Sequence, residues 1–318
     1  MSTTAPFGSL SSVTEANILV TGGDGLIGAA VATLLAQRGA RVTVFDRGSP
    51  EAVTRARAAG AARHLSGSVI DAESVRAALV GQDAVVHLAG LAGLDCGTPE
   101  DIYTANALGT FLVMQAAARK GLAKMVYASS INASGLPLNP HPLLPGRFPW
   151  DEDEPADIAD AYSLSKQANE AAARAVARRH GLSLTGIRYP LVRDITAAGG
   201  TTFARHIRSA LREDPRRQAC EGWTYLDVTD AAAATAAALI HDTPASPGIL
   251  VAAPRTYLRQ NTEEALRRFA PAVPREIVSG RDIPVRLDRA TAQLDFEASV
   301  FLEDVDPALL ADLDDLTA

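Results

Sequence analysis

The chain has 318 residues, of which 47% are hydrophobic and 21% charged. So apolar a chain can bury enough surface to offset its ordering entropy, which excludes disorder as the dominant state. The length suits one large α/β unit, or a major domain with a smaller one attached. A formal charge of -7 lacks the basic surplus expected of a nucleic-acid binder.

Residues 1–16 read as a flexible leader. Asn17–Thr21 then reads as a short buried strand, with Leu26–Gln37 as the helix behind it, and Arg41–Asp46 as a second, β-branched strand. A helix is expected over Pro50–Ala59, a weak strand at Arg63–Leu65 and a helix at Ala72–Leu79. Ala84–Leu88 is a strand, Asp101–Lys120 a long helix, Lys124–Ala128 a strand, Ala161–His180 a long helix and Ser183–Arg188 a strand. Strands alternating with helices imply βαβ units, and right-handed crossovers make them a doubly wound, mostly parallel Rossmann sheet over residues 17–189.

Between these elements, Ser134–Pro155 is rich in proline and long enough to be a lid or binding loop. Beyond Arg188 the pattern is less regular. Helices are expected at Thr202–Arg212, Asp230–Ile240, Thr262–Phe269 and Ala290–Leu294, with strands near Gly248–Ala252 and Ile283–Leu287. Residues 190–318 are therefore assigned mainly to a smaller C-terminal α/β substrate domain, with some segments returning to the Rossmann core. The acidic runs Asp151–Asp160 and Asp304–Asp315 read as solvated loop and tail. Cys96 and Cys220 are too few for a disulfide framework, and none of the six histidines pairs as metal ligands, so no metal is expected. No signal-like segment and no run of about 18 apolar residues appears, so the expected location is cytoplasmic, without a membrane partner.

Thr21–Gly28 lies between a strand and a helix. Gly22 permits the tight turn, Gly25 lets backbone approach a pyrophosphate, and Gly28 lets the helix pack closely on the sheet. Leu26 and Ile27 open that helix, whose free N–H groups would face the phosphates. Such glycine spacing alone also fits a tight βα turn; its context favours a dinucleotide. Asp46, at the end of the second strand, can accept from the ribose hydroxyls and would repel a 2′-phosphate, which favours NAD over NADP. Arg47 beside it is the complication, since a guanidinium can pair with that phosphate.

Tyr162 and Lys166 are four residues apart on one helix, hence on one face. A neighbouring ammonium and the positive nicotinamide ring favour the phenolate, making Tyr162 a base for a hydroxyl proton, while Lys166 can hold the nicotinamide ribose. Ser129 and Ser130 end a strand at the carboxyl edge, where such sheets bind ligands, and Ser130 can orient the substrate oxygen. An ordinary Tyr–Lys helix pair is the plainer alternative.

Thr21–Gly28, Asp46, His87–Gly90, Asn106–Thr110, Tyr127–Ser130 and Tyr162–Lys166 together resemble the extended short-chain dehydrogenase/reductase family, in its NAD-dependent epimerase/dehydratase branch. The resemblance implies Ser130, Tyr162 and Lys166 as the catalytic set. It implies Leu88, Ala89 and Gly90 as the wall beside the adenosine and pyrophosphate, and Asn106 as their support. Ser68 and Val69 stand beside the adenine, although Ser68 replaces the family's frequent aspartate. Ala128, Ser129, Tyr189 and Val192 complete the cofactor set, and Ile131, Asn132 and Arg193 join Ser130 and Tyr162 at the substrate.

Several reactions share this set. Ile131 and Asn132 stand where dehydratases carry an acidic pair, which argues against dehydration. Leu191 replaces the asparagine with which nucleotide-sugar epimerases hold a diphosphate. The favoured expectation is an NAD-dependent oxidoreductase acting on a secondary or anomeric hydroxyl of a sugar, sugar acid or related polyol. A nucleotide-sugar 4-epimerase with tightly held NAD is the alternative, and an inactive dinucleotide-binding regulator the third reading. Arg193, Arg205, His206, Arg208 and Arg212 read either as an anion anchor or as a solvated basic face. Trp150 and Trp223 read as pocket or packing, and His87 as a structural strand-end residue. A homodimer through the helices at Asp101–Lys120 and Ala161–His180 is also implied.

Overall fold

The computed structural model describes residues 10–245 and 247–314. Its elements in chain order are β1 (Asn17–Thr21), α1 (Leu26–Gln37), β2 (Arg41–Asp46), α2 (Pro50–Ala58), β3 (Arg63–Ser66), α3 (Ala72–Ala78) and β4 (Ala84–His87). They continue with α4 (Pro99–Tyr103), α5 (Gly109–Lys120), β5 (Lys124–Ser130), α6 (Ala161–His180), β6 (Ser183–Tyr189) and β7 (Leu191–Arg193). The C-terminal part adds α7 (Thr201–Glu213), α8 (Pro215–Cys220), β8 (Tyr225–Asp227), α9 (Val228–Ile240), β9 (Ile249–Leu250), α10 (Thr262–Phe269), α11 (Asp288–Leu294) and α12 (Leu302–Val305).

Seven strands form one parallel sheet in the order β3-β2-β1-β4-β5-β6-β9. Alternation along the strands builds a core on each face. Ile18, Val20, Val42, Val44 and Val126 join the side that carries α1 and α9, while Leu19, Phe45, Val85, Met125 and Tyr127 join the side of α3, α5 and α6. The chain order reverses between β1 and β4. At such a switch point the loops splay apart and leave a crevice beyond the carboxyl ends of the strands.

Several expectations are corrected. The helix expected over Asp101–Lys120 is interrupted by a π-helical segment at Thr104–Leu108. Gly248–Ala252 contributes only the two-residue strand β9, and Ile283–Leu287 forms no strand: Val285 makes an isolated bridge to Trp150. Of the expected leader, residues 1–9 lie outside the described residues. Val13 and Ala16 are buried, and Ala16 carbonyl accepts from Arg41 N at 2.9 Å, so packing begins before Asn17. The acidic run from Asp304 packs through Leu309, Leu310 and Leu313, with Asp312 accepting from Arg259 and Gln260; Asp315 lies outside the described residues. Beyond β6 the chain returns to the large sheet, where β9 pairs with β6 and α9 packs on α1, and it forms a separate two-stranded sheet of β7 with β8.

Candidate active site

The crevice is a cleft of about 800 Å³ between the carboxyl edge of the large sheet and the α7–α8 wall. Gly22, Gly25, Leu26, Ile27 and Gly28 form its floor beside Leu88 and Gly90. Gly22 adopts φ +72°, and a Cβ there would meet Ala89 N at 2.5 Å; at Gly28 it would meet Gly22 carbonyl at 2.1 Å. The three segments therefore touch backbone to backbone. Gly25 is the N-cap of α1, with no side-chain cap and no acidic residue in the first turn, which leaves that helix end's N–H groups for an anion. The donor set and the missing Cβ atoms fit a dinucleotide pyrophosphate.

Ala128, Ser129, Tyr189 and Val192 line the next stretch of the cleft, followed by Ser130, Ile131, Asn132, Tyr162, Lys166 and Arg193. Six expected cofactor residues lie outside the lining. Asp46 is beside the glycine turn, accepting from Asp24 N at 3.1 Å and Arg47 N at 2.7 Å, with the Arg47 side chain exposed. Ser68 and Val69 follow β3. Val69 packs where Gly109 starts α5, since a Cβ there would come 2.9 Å from Val69 Cγ2. Ala89 presents backbone to Gly22. Asn106 is buried in the π-helical segment: its Oδ1 accepts from Leu91 N at 2.7 Å and its Nδ2 donates to Leu91 carbonyl at 2.9 Å. It thus fixes the loop after β4 through backbone, which no apolar side chain could do.

The chemistry gathers where β5 ends and α6 begins. Asp160 caps α6, accepting from Ser163 N at 2.7 Å, and so sets the helix start from which Tyr162 and Lys166 project. Lys166 Nζ lies 5.4 Å from the Tyr162 ring centre and donates to Ala128 carbonyl at 3.1 Å. Burial pushes the Lys166 ammonium down to about 8. It also pushes the Tyr162 phenol above its ordinary value, which outweighs the opposing hydrogen bond with Ser130; the nearby Glu221 carboxylate adds to the rise. Of the two charges expected to favour the phenolate, the Lys166 ammonium does not overcome burial by itself; the nicotinamide ring is the charge that a bound cofactor would add.

Behind Ser130 lies a buried ionic clamp. Glu170 of α6 receives Arg188 Nε at 2.8 Å and Nη2 at 2.9 Å, and Ser129 Oγ donates to it at 2.6 Å. Arg188 also donates to Glu152 carbonyl at 3.1 Å. Burial works to raise the Glu170 carboxyl, but the Arg188 bonds and charge overturn it, and the group lies below its ordinary value. Under the floor, His87 bridges Thr21 Oγ1 at 2.7 Å and Thr110 Oγ1 at 3.0 Å. Burial takes its pKa down to about 3, so His87 is a neutral structural residue, as its position at the strand end implies.

The far half of the cleft contains residues that no sequence pattern singles out. Asp95, Ser209, Glu213, Asp214, Arg217, Gln218 and Glu221 line it, with His206. Arg205, Arg208 and Arg212 do not. Arg208 instead donates to the carbonyls of Ala308 and Leu310, and Arg212 to that of Arg208. Trp150 and Trp223 are buried packing residues outside the lining. The proline-rich loop is tied down by Arg216, which donates to the carbonyls of Leu136, Pro137, Asn139 and Leu143. Leu138 of that loop reaches the cleft.

Residues 18–253 match the NAD dependent epimerase/dehydratase family. The chain belongs to this family. It is an NAD-dependent enzyme of the extended short-chain dehydrogenase/reductase type, with NAD as its cofactor. Cinnamoyl-CoA reductase 1 of Petunia hybrida is 28% identical over 273 residues, covering 83% of this chain and 80% of the reductase. The UDP-glucose 4-epimerase of Corynebacterium glutamicum is 29% identical over 177 residues; that match covers 54% of this chain and 50% of the epimerase, so the chain spans about half its length. Among solved structures, a short-chain dehydrogenase/reductase superfamily protein of Agrobacterium tumefaciens with bound NAD has a TM-score of 0.66 at 21% identity, covering 94% of this chain and 95% of that one. No helix among the described residues is long and apolar enough to cross a membrane.

Proposed function

We propose that the protein is a dehydrogenase that oxidises a secondary or anomeric hydroxyl of a sugar, sugar acid or related polyol and exchanges its cofactor at each turnover. The observation that carries this reading is the meeting of Ser130, Tyr162 and Lys166 in one cleft with the glycine floor. NAD, when bound, would supply the hydride acceptor and positive charge. Ser130 donates to the substrate oxygen and Tyr162 takes its hydroxyl proton. Lys166 would hold the nicotinamide ribose, and Ile131 and Asn132, which line the same cleft, would wall the reacting carbon. Leu191 leaves the chain without the amide that an epimerase uses on a diphosphate, which favours net oxidation over epimerisation.

The working unit in this reading is a cytoplasmic homodimer with no nucleic-acid or membrane partner. The dimer reading is supported by Leu108, Phe111 and Leu164, exposed apolar residues at the start of α5 and α6. The nucleotide content of freshly purified, denatured protein tests the main reading. Little retained nucleotide, with NADH formed from added NAD and a sugar, is expected; near-stoichiometric retained NAD and no net NADH would favour the epimerase instead.

A further inference from the structure

The substrate half of the cleft has an unusual charge balance. Among the charged residues that line it, Asp95, Glu213, Asp214 and Glu221 stand against Arg193 and Arg217, with Lys166 on the cofactor side, and Arg216 lies 4.0 Å from Asp214. His206 does not redress it, because burial and the neighbouring Arg193 and Arg217 push its imidazole below the ordinary value. Glu221 is the most enclosed of the four carboxylates. Its side chain is 8% exposed, and Arg217 Nε reaches only Oε1, at 3.0 Å. In the same lining, Asn132 is buried with Oδ1 unpartnered. A buried acceptor without a donor is costly unless a ligand supplies one.

We propose that Glu221 is the specificity-determining residue of this cleft, taking a hydroxyl or ammonium hydrogen of the substrate beside Tyr162, with Asn132 Oδ1 as a second acceptor. The substrate class is then an uncharged or amino-bearing polyol. A uronate or a nucleoside diphosphate sugar is rejected, because its added negative charge would meet the enclosed Glu221 carboxylate, whereas Asp95 and Glu213 are exposed and screened by solvent. This inference rests on the dehydrogenase reading above and narrows its substrate.

The test uses full-length wild type and Glu221→Gln, each with saturating NAD. The probes are a neutral aldose, its 2-amino derivative, the matching uronate and the matching UDP-sugar. Calorimetry reads binding and NADH absorbance reads turnover. Wild type is expected to bind and oxidise the neutral or amino sugar with kcat/KM at least about tenfold above the uronate. Glu221→Gln is expected to raise KM for that sugar about tenfold, with kcat within about threefold, and to narrow the gap to the uronate. Glu221→Asp, which keeps the charge, should preserve the discrimination, and all variants should bind NAD as wild type does.

Oxidation of the uronate or UDP-sugar as efficiently as the neutral sugar overturns the inference and leaves the dehydrogenase reading standing. So does an unchanged uronate gap in a folded Glu221→Gln protein. If none of the carbohydrates binds or is oxidised while NAD still binds, the inference and the sugar reading both fall.

Discussion

Replacing Glu170 by Gln removes one negative charge from the clamp behind Ser130 and keeps its shape. Arg188 is 3% exposed and places two of its donors on the Glu170 carboxylate, so its charge would be left buried against a neutral amide. Breaking a buried pair in this way costs about 3–5 kcal/mol. For 318 residues, an unfolding entropy of about 0.67 kcal/mol/K converts this cost to a fall in Tm of about 4–8 °C. Calorimetric melts of wild type, Glu170→Gln and the double variant Glu170→Met/Arg188→Met measure it. The double variant should recover much of the loss, because it buries no charge. Since Ser129 also donates to Glu170, kcat should fall in the single variant while NAD affinity stays nearly constant. A Tm within 1 °C of wild type for Glu170→Gln would refute the clamp.

Two other features give sharp expectations. Asp46 at the end of β2 should make NAD bind at least about tenfold tighter than NADP, and Asp46→Asn should shrink that ratio; equal wild-type affinities by fluorescence titration would remove Asp46 as the selector. His87 has its folded pKa depressed to about 3 from an ordinary 6.5, so the unfolded chain binds the extra proton between these values. Its stabilising share is complete above pH 6.5 and is lost as pH falls, at about 1.4 kcal/mol per pH unit. Urea melts at pH 6 and pH 5 should therefore show a shallower acid loss in His87→Asn than in wild type, and equal slopes would contradict a buried neutral imidazole.

The Rossmann half was legible because its information is local. Thr21–Gly28 sits between a strand and a helix, and Tyr162 and Lys166 share a helical face whatever the rest of the chain does. The correction at Asp101–Lys120 has a physical source: apolar periodicity does not reveal a π-helical turn, yet that turn places Asn106 where its amide grips Leu91. The α7–α8 wall of the cleft was illegible for a different reason. Glu213, Asp214, Arg217 and Glu221 look in sequence like a solvated charged stretch, and it takes the packing of α8 against the proline-rich loop to bring them into the cleft lining, where Glu213 is still exposed. Arg216 achieves that packing by binding four loop carbonyls, a partnership about 75 residues distant that no spacing rule predicts. The two-residue strand β9 is likewise too short to carry periodicity.

If Tyr162 exchanges the substrate proton in an NAD-dependent oxidation, NADH formation by Tyr162→Phe shows it, measured with the best polyol of the wild-type panel alongside a titration of NAD binding. A loss of kcat of about 10²–10⁴-fold is expected with NAD affinity preserved, since the phenyl ring stays and only the proton carrier leaves. Turnover at the wild-type rate in that variant would contradict it.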